Sequence, residues 1–354
     1  MSVQLDHYRL LGRSGLRVSP LSLGTMTFGV AQGWGSTPAD AEAIFNLYAE
    51  RGGNFIDTAN FYASGDSERT LAGLVRGRRN RFVIATKYSL TMRPGDPNAS
   101  GNHRKNMMQS VEDSLQRLGT DYIDLLYLHV WDSRTPVEEI LRAFDDLVRT
   151  GKVLYVGVSD LPAWQASRMQ AIAELRGWSP LVALQIPYSL IERTVERELM
   201  PMALEMGMGV MPWSPLGGGV LTGKYQATDL KPSAPGATMD SRKNINVATG
   251  RLSERSLAIA AVVSTIAQEL SRTPAQVALA WTLLNPSVTS PILGARTLVQ
   301  FEDNLGALEI RFSDDQVARL NSVSHVEPGF PQTMLQGLAM DMMFGGVKVA
   351  RRSV

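Results

Sequence analysis

The chain contains no cysteine. Disulfide scaffolds, thiolate zinc sites and cysteine nucleophiles are therefore excluded. Neither sign of charge is in excess: 35 lysines and arginines face 34 aspartates and glutamates. That balance gives no global attraction to nucleic acid or to an acidic membrane, so any anion site must be local. The opening stretch MSVQLDHYRLLGRSG holds no apolar core of signal-peptide length. No uninterrupted apolar run is long enough to span a bilayer. The expectation is a cytoplasmic protein that meets neither nucleic acid nor membrane, with its oligomeric state left open. His7, His103 and His325 lack the spacing of a metal site, so no metal is expected. What is present is a globular composition, 44% hydrophobic and 19% charged over 354 residues. That length allows one large barrel or two ordinary domains.

Short apolar runs alternate with helix-period patterns. Strands are predicted at 21–26 (LSLGTM), 54–59 (NFIDTA), 81–87 (RFVIATK), 122–129 (YIDLLYLH), 153–159 (VLYVGVS), 181–186 (LVALQI), 208–213 (MGVMPW) and 287–293 (SVTSPIL). Between them, one-face spacings such as Met107, Val111, Leu115 and Leu118, stopped by Gly119, predict helices. Two further helices are expected at 256–270 and 274–284. Strands alternating with helices argue a parallel sheet with covered faces, and eight strands favour a (β/α)₈ TIM barrel. A β-hairpin at 8–18, turning between Gly12 and Gly15, precedes a barrel of about 20–324. A tail of 325–354 carries no assignable role. No composition shift marks a second domain. Residues 226–251 are polar and lack periodicity, which reads either as a mobile lid or as a tolerated insertion.

The chemistry of such a barrel sits at the C-terminal ends of its strands. There the sequence places Asp57, Lys87 and His129, with Tyr62 in the loop after Asp57. Hydride transfer to a carbonyl carbon leaves negative charge on oxygen, which needs a proton donor. A tyrosine hydroxyl is a weak acid whose pKa a neighbouring ammonium lowers. Lys87 is expected to do this for Tyr62, Asp57 to balance the buried lysine, and His129 to orient the substrate oxygen. Each residue alone has a plainer reading, as a helix cap, a packing aromatic, a solvated lysine or a structural histidine. Four of them converging at strand ends outweigh those readings together.

With these residues in view, the sequence resembles the aldo-keto reductase family over 8–324. The matching stretches include LGTMTFG, NFIDTANFY, IATKY, YIDLLYLH, GKVLYVGVS, PWSPLGGGVLTGKY and LGARTLVQFEDN. The resemblance implies an NADPH-dependent oxidoreductase reducing an aldehyde or ketone to an alcohol, with Asp57, Tyr62, Lys87 and His129 as its catalytic group. It also implies the cofactor contacts. Gly24, Thr25 and Met26 end the first strand beside Asp57. Ser159, Asp160 and Gln185 hold the nicotinamide carboxamide. Trp213 stacks on the ring, with Ser214 next to it. Leu216, Gly218 and Lys224 attend the pyrophosphate. Gly294 opens the adenosine-side helix turn, Arg296 faces the 2′-phosphate, and Gln300 and Asn304 face the adenosine. Asp160 departs from the family's asparagine. Its alternative role is to cap the helix begun around Pro162.

The stretch GGVLTGKY is a decoy for a phosphate loop, because Tyr225 stands where Ser or Thr is needed. Aromatic and apolar residues at the mouth, namely Met26, Phe28, Trp34, Tyr88 and Trp131 with Tyr62 and His129, are expected to line a substrate pocket for bulky carbonyls. Two other readings stay open: a regulatory subunit that holds the nucleotide with slow turnover, and a reductase dedicated to a keto-sugar or complex natural product.

Overall fold

Residues Arg9–Leu10 (β1) and Arg17–Val18 (β2) pair antiparallel as a short hairpin. Its turn presses on the floor of the barrel. A side chain at Gly12 would meet the Val182 carbonyl oxygen at 2.4 Å, and the backbone there is left-handed at φ 53°. Only glycine suits both conditions. The structure is a computed structural model that describes residues 4–29, 35–230, 242–335 and 338–348.

Eight parallel strands follow: Ser22–Gly24 (β3), Phe55–Asp57 (β4), Val83–Tyr88 (β5), Ile123–Leu128 (β6), Val153–Ser159 (β7), Leu181–Pro187 (β8), Gly209–Trp213 (β9) and Ile292–Leu293 (β10). They neighbour one another in chain order, and β10 returns to pair with β3. The ring closes through a parallel bridge between Val210 and Val288 and a bond from the Thr289 amide to the Val210 carbonyl. This is the expected (β/α)₈ barrel. The eighth strand is shorter than its apolar run suggested, because 287–290 contributes that bridge rather than a continuous ladder.

Helices cover the strands: Pro38–Glu50 (α1), Asp66–Val75 (α2), Arg104–Leu118 (α3), Val137–Arg149 (α4), Ala163–Arg176 (α5), Leu199–Glu205 (α6), Arg242–Ala248 (α7), Glu254–Glu269 (α8), Pro274–Thr282 (α9), Leu298–Leu305 (α10) and Asp314–Val323 (α11). Two short helices, Gln332–Leu335 (α12) and Leu338–Phe344 (α13), lie in the tail. Local signals set their ends. Thr273 with Gln276 and Ser313 with Gln316 form capping boxes, and Gly119 and Gly177 end α3 and α5 in the left-handed region. Among the described residues no helix is long and apolar enough to cross a membrane.

Strand alternation divides the core in two. Val83, Ala85, Leu125, Tyr127, Ala183 and Met211 fill the barrel, floored by Leu11 and Val18 of the hairpin. Ile84, Tyr88, Leu126 and Leu128 belong to the larger layer that includes Val111, Leu115 and Phe144 of the helices. A residue's parity along its strand therefore decides whether it can face the mouth.

Candidate active site

In β5 the inward positions are Val83, Ala85 and then Lys87, which lies at the rim and is fully buried. In β4 the corresponding rim residue is Asp57, after inward Phe55. The Lys87 ammonium donates to Asp57 Oδ1 at 2.6 Å, to the Thr58 carbonyl at 2.7 Å and to the Tyr62 hydroxyl at 3.0 Å. All three of its protons are thereby used. Asp57 Oδ2 accepts from the Gln185 amide at 2.8 Å. Tyr62 reaches this group on a tight turn, Tyr62–Gly65, whose Ala63 and Ser64 have φ of 47° and 55°. Non-glycine residues adopt that region at a cost, so the turn is held by its surroundings. The Tyr62 hydroxyl accepts from Lys87, and its own proton remains available to a second partner.

His129 follows β6 at the same parity as inward Tyr127. Its backbone amide donates to the Tyr88 carbonyl at 3.0 Å and to Ser89 Oγ at 3.2 Å. Its ring stands edge-on to Tyr62, with centroids 6.0 Å apart. Burial, aided by the Lys87 charge, lowers its pKa to about 3, so the imidazole is neutral. Burial lowers the pKa of Lys87 as well, but Asp57 and Tyr62 outweigh it and the net shift is upward. The ammonium is secure.

Tyr62 feels the expected downward pull of Lys87, but that pull does not set the outcome. Its pKa is raised, not lowered. Burial disfavours the phenolate most, Lys87 pulls the pKa back, and Asp57 pushes it up again. Because Asp57 already neutralises Lys87, the ammonium is a weaker stabiliser than it would be alone.

Around this group the strand ends carry Ser159, Gln185 and Trp213 on adjacent strands, with Ser159 in register with Gln185. Ser159 Oγ is buried without a hydrogen-bond partner among the described residues, as are His129 Nδ1 and Trp131 Nε1. Asp160 adopts a left-handed backbone, φ 48°, and accepts from the Trp213 indole N–H at 3.1 Å. The cap residue of α5 is Pro162, so the capping alternative for Asp160 is not realised. After β9, Gly217, Gly218 and Gly219 all have positive φ. A side chain on Gly218 would meet Asn246 Oδ1 at 2.3 Å. Leu216 and Ser214 are half-buried beside them.

A cationic cluster lies on the same side. Burial and the charges of Arg296 and Arg242 depress the Lys224 pKa, and burial and Arg251 depress that of Arg242. Arg296 is exposed, and its backbone amide donates to Gln300 Oε1 at 3.1 Å. Asn304 is buried. The helix turn is corrected here: α10 starts at Leu298 with Thr297 as its cap, four residues beyond Gly294.

Two expected pocket positions, Tyr88 and Phe28, are not at the mouth. Tyr88 has outward parity. It is 1% exposed, packs edge-on against Phe144 and donates to the Asn102 carbonyl, so it belongs to the helix layer and not to a pocket. Phe28 is fully buried in the same outer core. The Thr25 hydroxyl is spent on the Asp57 carbonyl and Ser67. A side chain on Gly24 would meet Ile292 Cγ2 at 2.7 Å, so this glycine serves the close approach of β3 and β10. Met26 is exposed, and Trp131 is half-buried, edge-on to Trp164. Trp34 lies outside the described residues.

Sequence reading missed α7 and its flank. Asn246 is buried and donates to the Gly218 carbonyl at 3.0 Å, and the Arg251 guanidinium lies 5.4 Å from the centre of the Trp213 ring. It also missed a clasp between two loops. Asn102 donates from its side chain to Ser89 Oγ and to the Val130 carbonyl, and its Oδ1 accepts from the Asp132 amide. The GNHRKN run was the only hint, and it has no local pattern that names a partner.

The fold and this geometry define a (β/α)₈ barrel with a hydrogen-bonded Asp57–Lys87–Tyr62 group at the mouth of its strands. Residues 20–325 match the aldo/keto reductase family, and the chain belongs to that family. It is similar to the norsolorinic acid reductase of Aspergillus flavus, 37% identical over 94% of this chain and 84% of the relative. It is also similar to the aldo-keto reductase ausK of Emericella nidulans, 36% identical over 94% and 85%. An oxidoreductase of Bacillus subtilis, YrpG, is 38% identical over 89% of this chain and 95% of its own length. The class of chemistry is carbonyl reduction by an oxidoreductase.

Proposed function

We propose that this chain reduces an aldehyde or ketone to an alcohol with NADPH, and that Tyr62 gives the proton. The observation that carries the reading is the Asp57–Lys87–Tyr62 chain of bonds, 2.6 and 3.0 Å long, beside a neutral His129. When bound, a reduced nicotinamide supplies the hydride.

The residues present fit that cofactor. A buried hydroxyl left alone costs about 1–3 kcal/mol, and Ser159 Oγ is such a group. A carboxamide would satisfy it. Gln185 has its amide nitrogen on Asp57 and its carbonyl oxygen available to the same ligand. Trp213 offers a flat face, and the glycines at 217–219 let backbone approach a ligand closely. Lys224, Arg242, Arg251 and Arg296 repel one another and gain by sharing phosphate. Arg296 in this cluster favours NADPH over NADH.

In the reaction, Tyr62 protonates the carbonyl oxygen as charge develops there. Its raised pKa keeps the proton in place until that charge appears. Lys87 then steadies the phenolate. His129 orients the oxygen without competing as an acid. The apolar residues Met26 and Trp131 favour a bulky carbonyl as substrate, and norsolorinic acid reductases stand among the relatives.

The test is NADPH consumption against a panel of aromatic aldehydes and ketones. Turnover that is lost in Tyr62→Phe supports the reading. Tight NADPH binding with no turnover across the panel would instead favour a nucleotide-holding role.

A further inference from the structure

Asp160 is a charged residue where the proposed reaction needs none of its own. Asp57 and Lys87 form a compact pair at 2.6 Å, and His129 is neutral, so these three add no net charge to the mouth. Asp160 adds one negative charge. Its side chain does not cap α5 and accepts from the Trp213 indole, a group that donates but cannot accept. It is near enough to Lys87 and Tyr62 for its charge to act on both. The left-handed backbone at φ 48° suits aspartate or asparagine and few other residues. An asparagine would fit the same backbone and accept the same indole proton, so neither requirement explains the charge.

We propose that Asp160 stabilises the positive charge that appears on the nicotinamide as hydride leaves, so that this site holds the oxidised cofactor more tightly, relative to the reduced one, than a neutral amide would. The inference rests on the NADPH reading above. Hydride transfer breaks a C–H bond of the dihydronicotinamide ring and forms one at the carbonyl carbon. The ring becomes cationic, and the Tyr62 proton goes to the oxygen. Electrons and protons balance without any other reactant. A carboxylate beside the ring is attracted to the product state and only weakly to the reduced ring. It therefore strengthens bound NADPH as a hydride donor and tilts the bound equilibrium toward alcohol.

Two further features agree. Burial pushes the Asp160 carboxyl up from its usual range, opposed by Trp213, Lys87 and the adjacent Ser159. A poorly solvated carboxylate gains more from a cation than a hydrated one does. Trp213, through its bond to the carboxylate, becomes a more electron-rich face for a cationic ring. The opposing charge is Arg251, over the same indole.

The experiment is equilibrium binding of NADP⁺ and NADPH to the wild type, Asp160→Asn and Arg251→Ala, read by calorimetry. Asp160→Asn should shift the affinity ratio toward NADPH by at least about 5-fold, the effect of one unit charge across about 4 Å with the full screening of water, and by more where the site is drier. Arg251→Ala should shift it the other way. An Asp160→Asn ratio equal to the wild type's would overturn the proposal, as would both variants shifting the same way, which would mark a loop rearrangement. If the wild type binds neither nucleotide, the cofactor reading itself fails. Retained thermal stability of Asp160→Asn keeps the comparison valid.

Discussion

At the scale of single residues, the barrel mouth turns on how one ammonium is shared. Removing the Tyr62 hydroxyl removes the proposed acid but leaves the Asp57–Lys87 pair intact. Tyr62→Phe should lower reductase kcat by about 10²–10⁴-fold, with NADPH affinity unchanged by calorimetry. Near-normal turnover in a folded variant would show another donor. Lys87→Met strands a buried carboxylate, and breaking a buried pair costs about 3–5 kcal/mol. Lys87→Met combined with Asp57→Leu should recover part of that loss in urea denaturation. No recovery would mean the pair is not the source of the cost. Arg296→Ala should weaken NADPH by about tenfold or more, the loss of a charge-assisted bond worth about 1.5–3 kcal/mol, and leave NADH nearly unchanged. Equal weakening of both would take the 2′-phosphate role from Arg296. The positions of Asp57, Lys87 and His129 were legible because each ends an apolar run. The direction of the Tyr62 shift was not, since burial is set by the whole mouth. The Asp160–Trp213 bond joins residues 53 apart in sequence and leaves no local pattern.

At the scale of elements, apolar runs bounded by polar residues marked the strands well, and 153–159 matches β7 end for end. Parity was harder to read. Tyr88 looked like a pocket residue because it stands at a strand end, but neighbours on a strand face opposite sides and it points outward. The helix α7 was missed because Ile245 and Val247 are too few to make an apolar stripe, and a buried polar residue, Asn246, anchors it instead. The clasp was missed for a related reason: Asn102, itself fully buried, ties the loop after β5 to the loop after β6 through polar bonds. His129 and Trp131 stand on that second loop. Asn102→Ala should therefore raise the KM for carbonyl substrate more than it lowers kcat. Leaving its partners unsatisfied should cost about 1–3 kcal/mol in stability. Asn102→Asp keeps the acceptor for the Asp132 amide but loses both donor bonds, so it should not restore KM. Restoration by aspartate would show that the two donated bonds do not position the loop.

At the scale of the molecule, a closed barrel buries titratable groups at its mouth, and acid must reach them through folding stability. Two groups near the mouth shape the profile, on top of the acid losses from Asp145, Asp229 and Glu269, whose pKa values are also lowered. His129 has a folded pKa of about 3 against about 6.5 in an unfolded chain. As pH falls below the unfolded value, the unfolded chain takes up a proton that the folded imidazole refuses, so stability declines. The decline from this residue ends near pH 3, where the folded ring protonates too. Asp132 acts lower. Burial opposes its charge, but bonds from Thr135, Arg134 and Asn102 prevail and hold its pKa at about 2. Its contribution is present above the unfolded value, about 3.9, and is lost as pH falls toward 2. Asp124 and Asp160 pull the other way, because burial raises both. They bind protons earlier when folded and offset part of the loss just above the unfolded carboxylate value. Urea midpoints measured from pH 7 to 2 separate these contributions. His129→Gln should flatten the decline between about pH 6.5 and 4 and leave the fall below it. Asp132→Asn should do the reverse, at a lower stability throughout, because it loses acceptors used by Thr135. An unchanged slope above pH 4 in His129→Gln would mean that His129 is not held neutral by the fold.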